Sequence, residues 1–254
     1  MKIRYATAHR WRKGVVKDPL SLFGKSEQKK LVETLGKVSD KSISYKIEPL
    51  SEDFFAWWMP MYEERIGSKD NPVFFDVKEK TLGNPDKDKK YFSLSLMEGE
   101  ERLGGLFFSI KDDTLFFAYR TLAYDWQQAR LRASPSLYVE YIVAEHARDI
   151  GLKNISHGKD RNPYGLNSSI GLAMFKFSVG CKPELPKEGF EVQELDTGDL
   201  DKDVLVFECP TPVTEYSPIT KVYLVADEQG QNKWSQIERF SDAWDIEIIT
   251  RSAT

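Results

Sequence analysis

The chain has 254 residues and a formal net charge of −4, with 41% hydrophobic and 30% charged residues. A chain of this length can bury a sizeable core, and this composition excludes a disordered protein. The small acidic net charge gives no global reason to expect nucleic-acid binding. No stretch approaches the roughly 18 apolar residues of a membrane-spanning helix, so we expect no membrane partner.

The few cysteines and histidines argue against a metal site. Cys181 and Cys209 form no CxxC pair, and the three histidines are dispersed along the chain. That spacing does not fit a zinc site, so we expect no metal. The first residues, MKIRYATAHRWRKG, lack the apolar run of a signal peptide, and we expect a cytoplasmic protein.

Charge is unevenly distributed along the chain. Residues 1–30 hold nine Lys and Arg against two acids, and residues 184–208 hold nine acids against two lysines. We therefore predict a basic N-terminal arm over 1–41. The arm could meet the phosphates of a nucleotide, a tRNA or a cofactor, or it could be solvated and pack on the acidic segment.

The first predicted elements are a strand, a helix and a meander. The alternation in 42–50 predicts a strand, and Ser51 and Gly67 suit the start and end of the following helix. Its Trp57 and Trp58 are most simply core residues, with substrate stacking as the alternative. Three further strands, at 91–98, 102–110 and 114–124, are joined by links too short for parallel crossovers.

The second half alternates helices and strands. A helix begins after Ser134 and ends at Gly151, followed by a strand at 153–158, a helix at 166–177 and a strand at 203–208. This order predicts an α/β domain with a mixed sheet over 42–210. The tail, 211–254, is predicted to be a strand–helix–strand extension, compatible with a homodimer contact or a lid.

The junction at 124–136 is a candidate donor-binding site. A loop that leads into a helix N-terminus presents unpaired amides and the positive end of the helix dipole. Arg130, Arg132, Ala133 and Ser134 are the candidate ligand-binding residues there. The alternative is an ordinary capped helix with two solvated arginines.

A second candidate site spans 157–180. His157 could accept a proton, Asp160 and Arg161 could orient a substrate, and Tyr164 could donate a proton. Each also has an ordinary interpretation, namely a structural histidine, a self-neutralising surface pair and a surface-loop tyrosine. Lys176 follows Phe175 in an apolar helix, where it is either a snorkelling core stem or a charge placed for chemistry.

The segment HGKDRNPYGLNSSIGLAMFKFSVG resembles the FemAB-like branch of the GNAT superfamily of N-acyltransferases. In that branch a strand ends in a glycine, a polar turn carries an arginine, and a Gly-Leu helix leads to F-K-x-x-aromatic-Gly. The matching positions here are Gly158, Asp160, Arg161, Gly171, Leu172, Phe175, Lys176 and Gly180. Val179 departs from the pattern, since an aromatic residue is usual there.

This resemblance implies a GNAT-like fold and transfer of an acyl group from acyl-CoA to an amine. Aminoacyl-tRNA is the alternative donor, because FemAB-like members can use it. The resemblance links Lys176 to the acyl-transfer site, where a fixed cation could stabilise an oxyanion. We expect the acceptor, a small molecule, amino-sugar or peptide amine, to lie against Tyr119 and the 157–164 loop, with Glu140 as another proton acceptor.

One departure bears on the donor. The CoA-binding loop usually reads Q/R-x-x-G-x-G/A, and the nearest segment, QARLRA at 128–133, has Leu131 at the position of the first glycine. A side chain there hinders a pyrophosphate from approaching the backbone. A hypothesis of another class therefore stays open, namely a non-catalytic binding module on a degenerate GNAT fold.

Overall fold

The computed structural model describes residues 1–38, 40–68, 74–122 and 131–251. The strands are β1 (Lys2–Ala6), β2 (Ala8–Gly14), β3 (Ile43–Pro49), β4 (Lys90–Glu98), β5 (Glu101–Lys111), β6 (Thr114–Leu122), β7 (Asn154–Arg161), β8 (Lys182–Glu184), β9 (Val192–Asp196), β10 (Val204–Phe207), β11 (Lys221–Ala226) and β12 (Asp245–Thr250). The helices are α1 (Lys25–Val38), α2 (Glu52–Gly67), α3 (Pro135–Asp149), α4 (Ile170–Ser178) and α5 (Glu228–Trp234).

The chain divides into two compact units. The first unit comprises Met1–Lys13 and His157–Thr254, and the second comprises Gly14–Ser156. The boundary falls within β7, whose first three residues belong to the second unit. Among the described residues, no helix combines the length and apolar character needed to cross a membrane.

The second unit is a sheet with helices on both faces. Strands β3, β4, β5 and β6 run antiparallel in that order, and the first residues of β7 pair in parallel with β6. Leu106 and Phe108 of β5 join the core beneath α3, whereas Phe107 joins the aromatic core beneath α2. Side chains alternate between the faces of a strand, so one strand supplies both cores. The predicted meander and mixed α/β architecture are confirmed.

The helix starts follow their sequence signals. The Ser51 hydroxyl accepts a hydrogen bond from the Phe54 amide at 3.2 Å, and the Ser134 hydroxyl accepts one from Leu137 at 3.2 Å. Both serines thus satisfy an amide that the helix itself leaves unpaired. Pro60 lies inside α2.

The first unit contains three sets of paired strands. Strand β1 pairs with β9, β2 pairs with β8, and β10, β11 and β12 form a small sheet. A core that includes Ile3, Val204, Val206 and Val225 joins β1 to this small sheet. The tail contains β11, a helical stretch divided into α5 and a 3-10 segment, Ser235–Phe240, and β12.

Residues 1–41 form two strands and a helix where we predicted an arm. Three basic side chains of the first thirteen residues meet the acidic segment: exposed Lys2 pairs with Glu194 at 3.3 Å, and the partly buried Arg10 and Arg12 lie 3.8 and 3.7 Å from Glu184. These ion pairs agree with our alternative interpretation, in which the basic residues pack on the acidic segment. Strand β7 also runs three residues beyond the predicted end, and α4 begins four residues later than predicted.

We expect Gly104→Ala to destabilise the protein and Gly36→Ala to stabilise it. Gly104 has φ +158°, and a Cβ there would lie 2.6 Å from the Leu122 Cα and 2.9 Å from the Thr121 carbonyl oxygen. Overpacking of this kind costs about 1–3 kcal/mol. Gly36 lies exposed in α1 with no atom within 4 Å of its Cβ position, so alanine gains about 0.5–1 kcal/mol in helix propensity.

Urea unfolding of the two variants measures both effects. Equal changes in unfolding free energy would contradict the assignment of Gly104 to a close backbone approach between β5 and β6.

Candidate active site

A buried cluster of polar and aromatic side chains lies in the first unit. It comprises Asp160 on β7, Tyr164 on the following loop, Lys176 on α4, and His9 and Trp11 on β2, and we refer to it as the Asp160 cluster. Sequence reasoning had selected Asp160, Tyr164 and Lys176, and the structure brings the three together. It had not selected His9 or Trp11.

Two side chains donate hydrogen bonds to the same oxygen of the Asp160 carboxylate. The Lys176 ammonium and the Tyr164 hydroxyl both donate hydrogen bonds to Oδ2 of Asp160. Among the described residues, no group donates to the other oxygen, Oδ1. The side chain of Asp160 is 21% exposed and that of Lys176 is 8% exposed, so the carboxylate is the more accessible member of the pair.

Backbone pairing fixes the tyrosine. The amide of Tyr164 donates to the Leu205 carbonyl and the amide of Leu205 donates to the Tyr164 carbonyl, each at 2.9 Å. Two residues earlier, the Asn162 side chain donates to the Phe207 carbonyl at 2.8 Å and accepts from the Phe207 amide at 3.2 Å. Strand β10 therefore holds the loop in place. Tyr164 is fully buried, which corrects its interpretation as a surface-loop residue.

Helix α4 brings Lys176 to the cluster. The helix begins after Ser169, whose hydroxyl accepts from the Leu172 amide at 3.2 Å, and it ends before Gly180 with φ +83°. Lys176 lies in the last turn, where a cation is favoured by the helix dipole. Its ammonium bonds Asp160 and lies 5.5 Å from the Trp11 ring centroid. The simple snorkelling interpretation is therefore wrong, because the buried ammonium ends on Asp160 and not in solvent.

Aromatic rings enclose the charges. The Trp11 indole N–H donates to the Tyr164 hydroxyl at 2.8 Å, which in turn donates to Asp160. The His9 ring lies 4.5 Å from Phe207, 5.1 Å from Trp11 and 5.5 Å from Tyr164, measured between centroids. Both His9 nitrogens are buried without a hydrogen-bond partner. The cluster thus contains an unpaired imidazole in an aromatic environment.

The pKa values follow from burial and from the lysine. Burial acts to raise the pKa of Asp160, but the Lys176 charge and the hydrogen bonds from Lys176 and Tyr164 together hold it below its ordinary value. Burial, with the charge of Asp160, raises the pKa of Tyr164. Burial lowers the pKa of His9 to about 3. At neutral pH the cluster holds an ionised carboxylate, a neutral tyrosine and a neutral histidine.

The remaining predicted residues lie elsewhere. His157 is half-buried within β7, and Arg161 is exposed at the end of that strand. In the second unit, the Arg120 guanidinium donates to fully buried Glu140 at 3.0 Å. Tyr119 packs in the aromatic core of that unit, 5.8 Å from Tyr62, and burial raises its pKa.

The described start of α3 does not present the amides expected of a pyrophosphate site. The Ala133 amide donates to the Thr34 hydroxyl at 2.9 Å, the Ser134 hydroxyl caps the helix, and Arg132 lies 3.3 Å from Glu33. Arg130 lies outside the described residues. The described residues at the start of α3 therefore do not fit the mode of CoA binding in which the amides of a glycine loop contact the pyrophosphate. The exposed Arg132 can still reach an anion.

Among the described residues, no group of three or more His, Cys, Asp or Glu side chains is placed to hold a metal ion. Cys181 is fully buried directly after α4, as expected for a small core residue.

His9 and Trp11 could have been found from the alternation in AHRWRKG. His9, Trp11 and Lys13 are buried, whereas Arg10 and Arg12 between them are partly exposed. This is the period-two pattern of a strand. The many arginines and lysines in this segment favoured the interpretation as a basic arm, so the alternation was overlooked.

Comparison with known proteins gives structural similarities of low sequence identity. No protein-family model matches the chain, and no curated protein matches it. FemX matches with 13% identity and a TM-score of 0.49, over 69% of this chain and 59% of FemX. The L-PGS structure from Bacillus licheniformis matches with 12% identity and a TM-score of 0.45, over 76% of this chain and 61% of that protein.

The C-terminal DUF2156 domain of a putative lysylphosphatidylglycerol synthetase from Agrobacterium fabrum matches with 8% identity and a TM-score of 0.48, over 76% of this chain and 60% of that chain. The chain thus spans about three fifths of the structures it matches. These similarities concern fold alone.

We expect His9→Leu to flatten the pH dependence of stability below pH 6.5. A histidine with an ordinary pKa of 6.5 in the unfolded chain and about 3 in the folded protein binds its proton only on unfolding across this interval. The unfolded state then binds more protons, so the unfolding free energy falls as pH falls, by up to about 1.4 kcal/mol per pH unit for this one group. Leucine removes that contribution.

Urea unfolding of the wild type and His9→Leu at pH 7, 6 and 5 measures the slope. His146→Leu is the control, because His146 is only partly buried and is expected to change the slope less. Equal slopes for the wild type and His9→Leu would contradict a buried neutral imidazole.

Proposed function

We propose that the protein is an N-acyltransferase that moves an acyl or aminoacyl group onto an amine bound at Asp160. The observation that carries this proposal is the arrangement of the carboxylate. Its Oδ2 receives Lys176 and Tyr164, while Oδ1 receives no donor among the described residues and the side chain is partly exposed. An ionised, half-satisfied carboxylate of this kind attracts an ammonium group.

Asp160 suits binding of the acceptor better than deprotonation. A carboxylate whose pKa is held low is a poor base, so it stays ionised and orients the amine. The ammonium must lose its proton before attack, to water or to the half-buried His157. The amine lone pair then forms the C–N bond at the acyl carbonyl, and the C–S or C–O bond to the donor breaks as its thiolate or alkoxide leaves and takes up a proton.

Lys176 has two roles in this proposal. It keeps Asp160 ionised, and its remaining N–H groups are available to an oxyanion that develops on the acyl carbonyl. Removal of either partner leaves a buried charge without compensation, so the two residues act as a unit. No covalent enzyme intermediate is required, which is consistent with the burial of Cys181.

Acyl-CoA is the first candidate donor, as the resemblance to the superfamily implies. Aminoacyl-tRNA is the second candidate, and one observation favours it. The Ala133 amide at the start of α3 already donates to Thr34, so it is not available to a pyrophosphate. The acceptor is a small-molecule, amino-sugar or peptide amine.

Thermal unfolding with a millimolar panel of acyl-CoA thioesters, and separately with aminoacyl-tRNA, identifies the donor. A donor present at about one hundred times its Kd stabilises the protein by about 2.7 kcal/mol. Transfer of the labelled acyl group from the stabilising donor to a panel of amines then tests the activity. Stabilisation by neither donor, with no transfer, would contradict the proposal and favour a non-catalytic binding module.

We expect Asp160→Asn and Lys176→Met to lower the transfer rate by about 100-fold or more, the effect of losing one positioned charged group. Asp203→Asn is the matched control for the first, because Asp203 is also 21% exposed and ion-paired, with Arg251. Lys13→Met is the control for the second, because Lys13 is 3% exposed. If each variant and its control lose the same transfer rate and the same stability, Asp160 and Lys176 have only a structural role.

A further inference from the structure

A polar cavity lies in the second unit, outside the Asp160 cluster. It has a volume of about 370 Å³ and lies between the first turn of α2 and strands β3, β4 and β5. Ligand pockets in proteins commonly measure about 300–1,000 Å³. The volume is therefore that of a site for a small molecule.

Two buried serines on β4 form one wall of the cavity. Ser93 and Ser95 are 5% and 7% exposed, and they alternate with Leu94 and Leu96, which lie in the core on the opposite face of the strand. Among the described residues, neither hydroxyl has a hydrogen-bond partner. The two residues are otherwise buried, so their hydroxyls are open to the cavity and available to a ligand with polar atoms.

The cavity also carries one positive and one negative group that lack partners of opposite charge in the described part of the chain. The Arg102 guanidinium lies 5.1 Å from the Trp57 ring centroid and pairs with no carboxylate there. Asp53, in the first turn of α2, pairs with no cation there. Lys46 and Glu48 also line the cavity, but they neutralise each other at 2.8 Å.

Helix α2 packs closely against β5 beside the cavity. A Cβ on Gly105 would lie 2.8 Å from the Leu94 carbonyl oxygen, 3.1 Å from the Phe54 ring and 3.3 Å from the Trp57 ring. The glycine therefore allows the first turns of α2 to approach β5 closely. The Arg102 guanidinium lies over the Trp57 ring, and its N–H groups can bind a carboxylate.

We infer that this cavity binds a small zwitterion, an α-amino acid. Arg102 and the serine hydroxyls donate hydrogen bonds to its carboxylate, and Asp53 accepts from its ammonium group. Arg102 and Asp53 are both exposed, and a ligand with only one charge would pair with only one of them, so we expect it to bind more weakly than a zwitterion. This inference is independent of the proposed acyl transfer.

Saturation-transfer NMR of the intact protein with each of the twenty L-amino acids tests the inference, followed by isothermal titration of those that bind. We expect at least one amino acid to bind, and to bind more tightly than acetate or methylamine. Arg102→Gln is expected to raise its Kd about tenfold or more, and Ser95→Ala about twofold to tenfold.

Matched variants separate this site from other causes. Ser109→Ala removes a serine on β5 that is 6% exposed and does not line the cavity, and its Kd should equal that of the wild type. Lys90→Gln, an exposed lysine on β4, is the control for Arg102→Gln. Asp160→Asn removes the proposed acceptor site, so binding that persists in this variant belongs to the cavity, whereas binding that it abolishes would overturn the inference. Failure of the acyl-transfer proposal is thereby distinguishable from failure of this one.

Three results would overturn the inference. The first is that no amino acid binds. The second is binding that Arg102→Gln and Ser95→Ala leave unchanged. The third is acetate or methylamine binding as tightly as the best amino acid, because the site would then recognise a single charge.

Discussion

The arrangement of β2, α4 and the loop after β7 in the first unit depends on the hydrogen-bond and ion-pair partners of one carboxylate, that of Asp160. Taking a carboxylate and an ammonium out of water costs several kcal/mol for each ion, and only close pairing with additional hydrogen bonds recovers that free energy. Asp160 meets the requirement at Oδ2, where Lys176 and Tyr164 both donate. The indole of Trp11 extends the network by donating to the tyrosine. The positions of β2, α4 and the loop after β7 are linked through this oxygen.

In the function that we propose, the incomplete part of that network binds the acceptor amine. A fully satisfied ion pair would be a structural element, whereas the second oxygen of Asp160 lacks a donor among the described residues. His9, whose ring nitrogens have no hydrogen-bond partner, adds no charge to the cluster at neutral pH, because burial lowers its pKa to about 3. Perturbed titratable groups of this kind concentrate at functional sites. In the second unit, Ser93 and Ser95 present hydroxyls without a hydrogen-bond partner among the described residues to a cavity.

Much of the architecture could be predicted from local patterns. The meander follows from short polar links, and the start of α3 follows from Ser134 and Pro135. These signals act over a few residues, so the chain order alone reveals them. The strands at the N-terminus were missed because their charge outweighed their alternation. Their charges are compensated by β8 and β9, about 170 to 195 residues further along the chain.

The sequence by itself determined the mixed α/β class, the helix starts and the presence of an aspartate, a tyrosine and a lysine within a short segment. Only the tertiary structure decided that these three side chains meet on one oxygen, and that His9 and Trp11 enclose them. It also separated Glu140 from the candidates by pairing it with Arg120. The physical reason is that a hydrogen bond or an ion pair depends on distance in space, which separation along the chain does not fix.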